Sequence, residues 1–119
     1  MFTCFIRYSV DPDKSEEFKE YARAWMKLIR KYGGNHHGYF VPGGSGANIP
    51  DPEFSFPGIG KNGPPNIAVA LFSFPTIEAY DNYRREVASD PECALATARF
   101  RETKCFSSYE RTFLVPMFE

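Results

Sequence analysis

The two histidines of this chain, His36 and His37, stand side by side in Asn35-His36-His37-Gly38-Tyr39-Phe40-Val41-Pro42. Imidazole is the side chain best suited to move protons near neutral pH, and the stretch has the residue types of a strand. In a regular strand, adjacent residues face opposite sides and residues two apart share one. His37 and Tyr39 are therefore expected on one face, where a base and a phenolic donor could act together on a bound molecule. The same alternation separates His36 from His37, which argues against a two-histidine metal site, and no metal or cofactor is expected. The competing reading is a histidine satisfied by backbone groups at a strand start, because no nucleophile or carboxylate motif adjoins the doublet.

Other polar groups expected to face a pocket are Arg7 on the first strand, His36 on the second, and Tyr109 and Glu110 on the last, with Phe72 among the aromatics around it. In an antiparallel arrangement Arg7 lies near Glu110 or Tyr109, and an Arg7–Glu110 pair is more often a structural cross-strand contact than a substrate clamp. Cys4 and Cys105 lie far apart and in no basic or helix-start setting, so both are expected to be buried structural thiols.

These residues need elements to hold them. Residues 2–9 are rich in aromatic and β-branched types and stop at Asp11-Pro12-Asp13, where Asp13 with Glu16 resembles a capping box. Phe18, Tyr21, Ala22, Trp25, Leu28, Ile29 and Tyr32 then recur at helical spacing until Gly33-Gly34, with Lys19, Arg23, Lys27 and Arg30 on the opposite face as a solvated stripe. A second strand spans about 35–41, and Ile67 to Phe74 is a compact apolar run suited to a central strand. Pro75-Thr76 opens another helix. Asp90-Pro91 restarts it with Asp90 as cap, and Cys105 to Val115 alternates as a last strand. The order is βαββαβ, an α+β, ferredoxin-like unit with a four-stranded antiparallel sheet and helices on one face. Between Gly43 and Asn66 lies a Gly- and Pro-rich loop, longer than the roughly 12–15 residues usual in a compact domain. Phe54 and Phe56 within it favour a lid or an interface arm, and pure flexibility is the alternative.

The 119 residues and the uniform composition suggest one domain spanning 1–119. A net charge of −1 with interspersed signs offers no surface for phosphate backbones, so nucleic acid is not an expected partner. Three cysteines form neither a CxxC pair nor an even framework, which suits a reducing cytoplasm. The amino terminus reads as a first strand rather than a signal segment, and the longest apolar run falls far short of the roughly 20 residues that cross a bilayer. A soluble protein without membrane partners is expected.

Both faces of the expected sheet are apolar. Strand one offers Phe2, Cys4, Ile6 and Tyr8 on one side and Phe5 on the other, and strand three offers Val69 and Leu71 against Ala70, Phe72 and Phe74. A second copy packing sheet on sheet would cover the outer face and enclose a space between the two sheets, so a homodimer is expected. A monomer covered by its own long loop is the alternative.

The phrases His36-His37-Gly38-Tyr39-Phe40-Val41-Pro42, Asn66 through Pro75, and Tyr109-Glu110-Arg111 occur in the order and elements that resemble the NIPSNAP family. The resemblance spans nearly the whole chain except the long loop, which departs from the compact turn expected between the second and third strands. It implies a ferredoxin-like unit that pairs into a dimeric α+β barrel. The mitochondrial and vesicle-traffic roles linked to animal members are not carried over, because no Arg/Ser-rich transit segment is present. Two functions follow as expectations. One is a barrel that binds a small apolar or aromatic ligand, or a protein partner, without catalysis. The other resembles the cofactor-independent monooxygenases of similar barrels, in which a base deprotonates a phenolic substrate; a haem-handling variant with His36 or His37 as axial ligand is a further branch.

Overall fold

In the computed structural model, residues 1–43 and 62–118 are described. Most of the Gly- and Pro-rich loop, including Phe54 and Phe56, lies outside the described residues. Strand β1 (Phe2–Val10) leads through a short 3-10 turn (Pro12–Lys14) into α1 (Ser15–Lys31), followed by β2 (Asn35–Phe40), β3 (Ile67–Phe74), α2 (Ile77–Val87), α3 (Pro91–Thr103) and β4 (Phe106–Leu114). The strands lie in the order β2-β3-β1-β4, antiparallel throughout. This is the expected ferredoxin-like βαββαβ arrangement, with the second helical segment split at Asp90. Among the described residues, no helix is long and apolar enough to cross a membrane.

The helix boundaries follow local chemistry, with one correction. Asp11, not Asp13, starts the first helical segment: its backbone is extended and its Oδ1 accepts the Asp13 N–H at 3.0 Å. Pro12 supplies the helical φ immediately after Asp11, which draws Asp13 into the turn and leaves Lys14 as an uncapped entry to α1. At the other end Gly33 takes φ +92° and Gly34 donates its N–H to the Ile29 carbonyl at 2.9 Å. Gly34 also packs tightly, since a Cβ there would stand 2.5 Å from Ile29 Cγ2 and 2.8 Å from Phe74 Cζ. Thr76 caps α2 by accepting the Ala79 N–H, and Asp90 caps α3 by accepting the Glu92 N–H at 2.8 Å, both as the residue types predict. Asp90 Oδ2 further accepts from Lys31 Nζ at 2.7 Å and Tyr32 OH at 2.5 Å, which ties the end of α1 to the start of α3.

The core lies between the sheet and the helices. Cys4, Ile6, Tyr8 and Val10 of β1 and Ala68, Ala70, Phe72 and Phe74 of β3 alternate onto that side and are buried against Phe18, Leu28 and Ile29 of α1 and Tyr83 and Val87 of α2. The residues between them, Phe5, Ile67, Val69 and Leu71, sit half-buried on the opposite, open face, with Phe40 and Leu114 about half exposed beside them. Both faces are apolar, as the alternation predicts.

Candidate functional site

Five tyrosines, a tryptophan and two arginines converge on a recess of about 310 Å³ between the sheet and the helices. Its floor is Ile6 and Tyr8 of β1, Tyr39 of β2, Phe72 of β3, and Tyr109 and Arg111 of β4. Tyr21, Trp25 and Ile29 of α1 form one wall, and Tyr83, Arg84 and Val87 of α2 with Cys93 of α3 form the other. These places follow from two periodicities: every second residue of each strand reaches the floor, and three- and four-residue spacing brings Tyr21, Trp25 and Ile29 to one side of α1. A larger groove of about 680 Å³ runs between α1 and α3, where Tyr21, Leu95 and Phe100 are flanked by Glu17, Glu20, Arg23, Lys27, Glu92 and Arg99, acids and bases mixed as on ordinary helix surface. The recess holds the buried polar atoms and the aromatic walls, so the chemistry belongs there.

The aromatic groups are packed in register. Tyr8 stacks on Tyr39 with ring centroids 5.9 Å apart, and their hydroxyls lie 3.4 Å from each other. Tyr8 also meets Tyr109 at 6.1 Å, and Tyr21 meets Trp25 at 6.3 Å. Burial pushes the Tyr8 phenol up to about 12, raises Tyr21 and Tyr83, and raises Tyr39 well above its usual value. Burial likewise pushes the Cys4 thiol, on the same face of β1 as Ile6 and Tyr8, up to about 11. These groups stay protonated at neutral pH and act as neutral hydrogen-bonding groups. Arg111 is the half-buried cation of the recess. Its guanidinium lies 5.6 Å from the Tyr109 ring centroid, and among the described residues it forms no ion pair. Its Nε and the indole Nε1 of Trp25 are both shielded from solvent without a hydrogen-bond partner there.

The histidine doublet is arranged differently from the expectation. His36 pairs with Phe72 of β3 and Gly38 with Leu71, so one extra residue is accommodated in β2 as a bulge, at which Gly38 adopts φ +116°. The Gly38 N–H turns back to donate to His36 Nδ1 at 2.9 Å. The bulge shifts the alternation by one residue. His36 and Tyr39 therefore share the inner face, with rings stacked 5.2 Å apart, whereas His37 lies on the open face. The expected His37–Tyr39 partnership is thus overturned. His37 Nε2 instead meets Ser73 Oγ at 2.8 Å, and Ser73 Oγ meets Thr3 Oγ1 at 2.7 Å, a chain of contacts across β2, β3 and β1.

Of the residues singled out from the sequence, Tyr39, Phe72 and Tyr109 line the recess, and His36 packs against Tyr39 and Phe72. Arg7, His37 and Glu110 lie on the other side of the sheet, where Arg7 and Glu110 are register partners without an ion pair between them. The expected polar set is thereby divided between two faces. His36 is 5% exposed and held between two rings, and its Nε2 is shielded from solvent, so it presents no nitrogen to a haem iron. Among the described residues no three His, Cys, Asp or Glu side chains cluster as a metal site. Trp25, Arg84 and Arg111 were not singled out. Arg111 was within reach of strand alternation, two residues from Tyr109 and so on the same face. Trp25 and Arg84 depended on how the helices pack.

No family model matches the chain, and no curated protein matches it in sequence. Solved structures do. An uncharacterised NIPSNAP domain protein from Burkholderia xenovorans is 18% identical, with 99% of this chain and 96% of that one covered and a TM-score of 0.66. A NIPSNAP family protein of unknown function from Agrobacterium tumefaciens is 16% identical over 100% and 91% of the two chains, with a TM-score of 0.70. A protein from Nitrosomonas europaea put forward as an antibiotic biosynthesis monooxygenase is 14% identical over 99% and 100%, with a TM-score of 0.62. At these identities the likeness is one of fold, and the fold of this chain is NIPSNAP-like.

Proposed function

We propose that this chain, with its NIPSNAP-like fold, is a binding protein whose subunit holds a small aromatic or apolar molecule in the recess between sheet and helices. The observation that carries the reading is the recess itself, with five tyrosines and a tryptophan around about 310 Å³. Its ionisable groups suit binding better than proton transfer. The buried phenols titrate far above neutral pH, and burial, with Arg30 and His37 nearby, lowers the imidazole of His36 to about 4. A second copy of the chain is proposed to cover the open face, because Phe5, Val69, Leu71 and Phe40 would otherwise meet water. The dimer would bring sheet against sheet, leaving one recess per subunit on the helix side. Three free cysteines, two of them buried, support a reducing cytoplasm as the compartment.

Native mass spectrometry of the purified protein tests both parts. The expected spectrum is a dimer carrying a small non-covalent adduct; a bare monomer at micromolar concentration contradicts the covered face. The fold likeness to the Nitrosomonas europaea protein favours a second reading, a cofactor-independent oxygenase acting on a phenol in the same recess. Tyr39, with His36 stacked against its ring, is then the group beside the substrate, and His37 is not. Absence of oxygen uptake across a panel of phenols and quinols eliminates it.

A further inference from the structure

We infer that the recess is built for an anion, and that its ligand is a small aromatic carboxylate whose charged oxygens are received by Arg111 and Trp25. This rests on the reading of the recess as a small-molecule site and specifies the ligand's charge. A guanidinium is a permanent cation, and taking it out of water is unfavourable unless a negative group or hydrogen-bond acceptors compensate. Arg111 has no ion-pair partner among the described residues, and its Nε is buried without an acceptor. The recess contributes a second cation, Arg84, from α2 at its exposed rim. Among the described residues no aspartate or glutamate lines it. Two positive charges and no negative one line this recess in a chain whose net charge is −1.

The second observation comes from the opposite wall. Trp25 Nε1, a donor with no acceptor function, is also shielded from water and has no partner among the described residues. Two orphaned donors, one on β4 and one on α1, line the same recess, and acceptors entering between sheet and helix would supply what each lacks. The planar fork of arginine suits a carboxylate, whose two oxygens can accept side by side. Most of the remaining lining is aromatic, with Ile6, Ile29 and Val87 as aliphatic neighbours, which assigns the body of the ligand: one or two flat rings, roughly what a pocket at the small end of the usual range accommodates. The protonated hydroxyls of Tyr8 and Tyr39 add neutral donors and no competing charge.

The protein carries a single tryptophan, and it is Trp25, so its emission reports directly on the recess. The full chain is titrated with 2-naphthoate and with the isosteric neutral 2-naphthamide, followed by tryptophan emission and by calorimetry. The expected result is binding of naphthoate at least roughly tenfold tighter than naphthamide. Arg111→Gln is expected to bring the two affinities together with the amide affinity little changed, and Arg84→Gln to narrow the gap partly. Arg7→Gln, on the far side of the sheet, is expected to change neither. Equal affinity of the two ligands for the wild-type protein overturns the anion assignment while leaving the recess as a binding site. A preference that survives in folded Arg111→Gln overturns the role of Arg111. Binding of neither compound up to millimolar concentration overturns the recess reading together with this one. The wild-type comparison decides the matter even where a variant fails to fold.

Discussion

His36 shows how one side chain carries several consequences. Its Nδ1 accepts the Gly38 N–H, which puts the proton of the neutral ring on Nε2, and burial holds the imidazole near 4. The folded chain therefore resists a proton that the unfolded chain takes up below about 6.5. Stability is expected to fall as pH drops from about 6.5 toward about 4, by on the order of 2 kcal/mol after allowance for partial solvation, and to stop falling on this account below that. Urea melts of wild type and His36→Gln between about pH 6.5 and pH 5 check this, with a flatter profile expected for the variant. Asp90 acts at lower pH. Hydrogen bonds from Lys31, then Tyr32 and the Glu92 N–H, hold its carboxyl near 2, so its contribution is complete above about 4 and disappears as pH falls toward 2. Asp90→Asn should melt below wild type at neutral pH, and the two melting curves should converge on acidification. A residual difference as large near pH 2 as at pH 7 contradicts this. At this scale the sequence was partly legible: Asp90 as a cap followed from its residue type and Pro91, whereas the partners Lys31 and Tyr32 come from another helix.

The bulge in β2 decides which residues are neighbours. Strand alternation correctly sorted β1 and β3, because both are regular and carry side chains that a core demands on one side. It failed in β2, where Gly38 admits a φ of +116° and one residue slips out of the ladder. The signal was present in Gly38 itself, since glycine inside a strand pattern marks bulges. Gly38→Ala meets no atom within 4 Å, so its cost is purely one of backbone strain. It is expected to destabilise the fold by about 1 kcal/mol or more, because φ +116° lies beyond the left-handed helical region that other residues visit. Equal stability of Gly38→Ala and wild type in urea contradicts a positive φ at this position. Gly34→Ala has a different cause, overlap with Ile29 and Phe74, and should be costly whatever the backbone permits.

For the whole molecule, the two-sided apolar sheet is the dominant constraint. The helices cover one side, and the other side presents Phe5, Val69 and Leu71 in its centre. Phe5→Asp or Leu71→Lys is expected to shift the proposed dimer to monomer with secondary structure retained, as size-exclusion chromatography with light scattering and circular dichroism would register. An unchanged mass with either substitution places the subunit contact elsewhere. Neither change touches the recess, so naphthoate binding should persist in the monomer.

The order of elements behind the ferredoxin-like unit, the caps Thr76 and Asp90 of the last two helices, and the apolar character of both sheet faces were determined by the sequence alone, because each rests on local propensity or a two- or three-to-four-residue period. The tertiary structure decided which side of β2 each histidine occupies, and that the recess lies between sheet and helices rather than beyond the open face. It also brought Arg111 and Trp25 to one cavity from strands and helices far apart in the chain. Periodicity says that a side chain faces the core. Only the packing of one element on another determines which other side chains it meets there, and whether their polar atoms find partners.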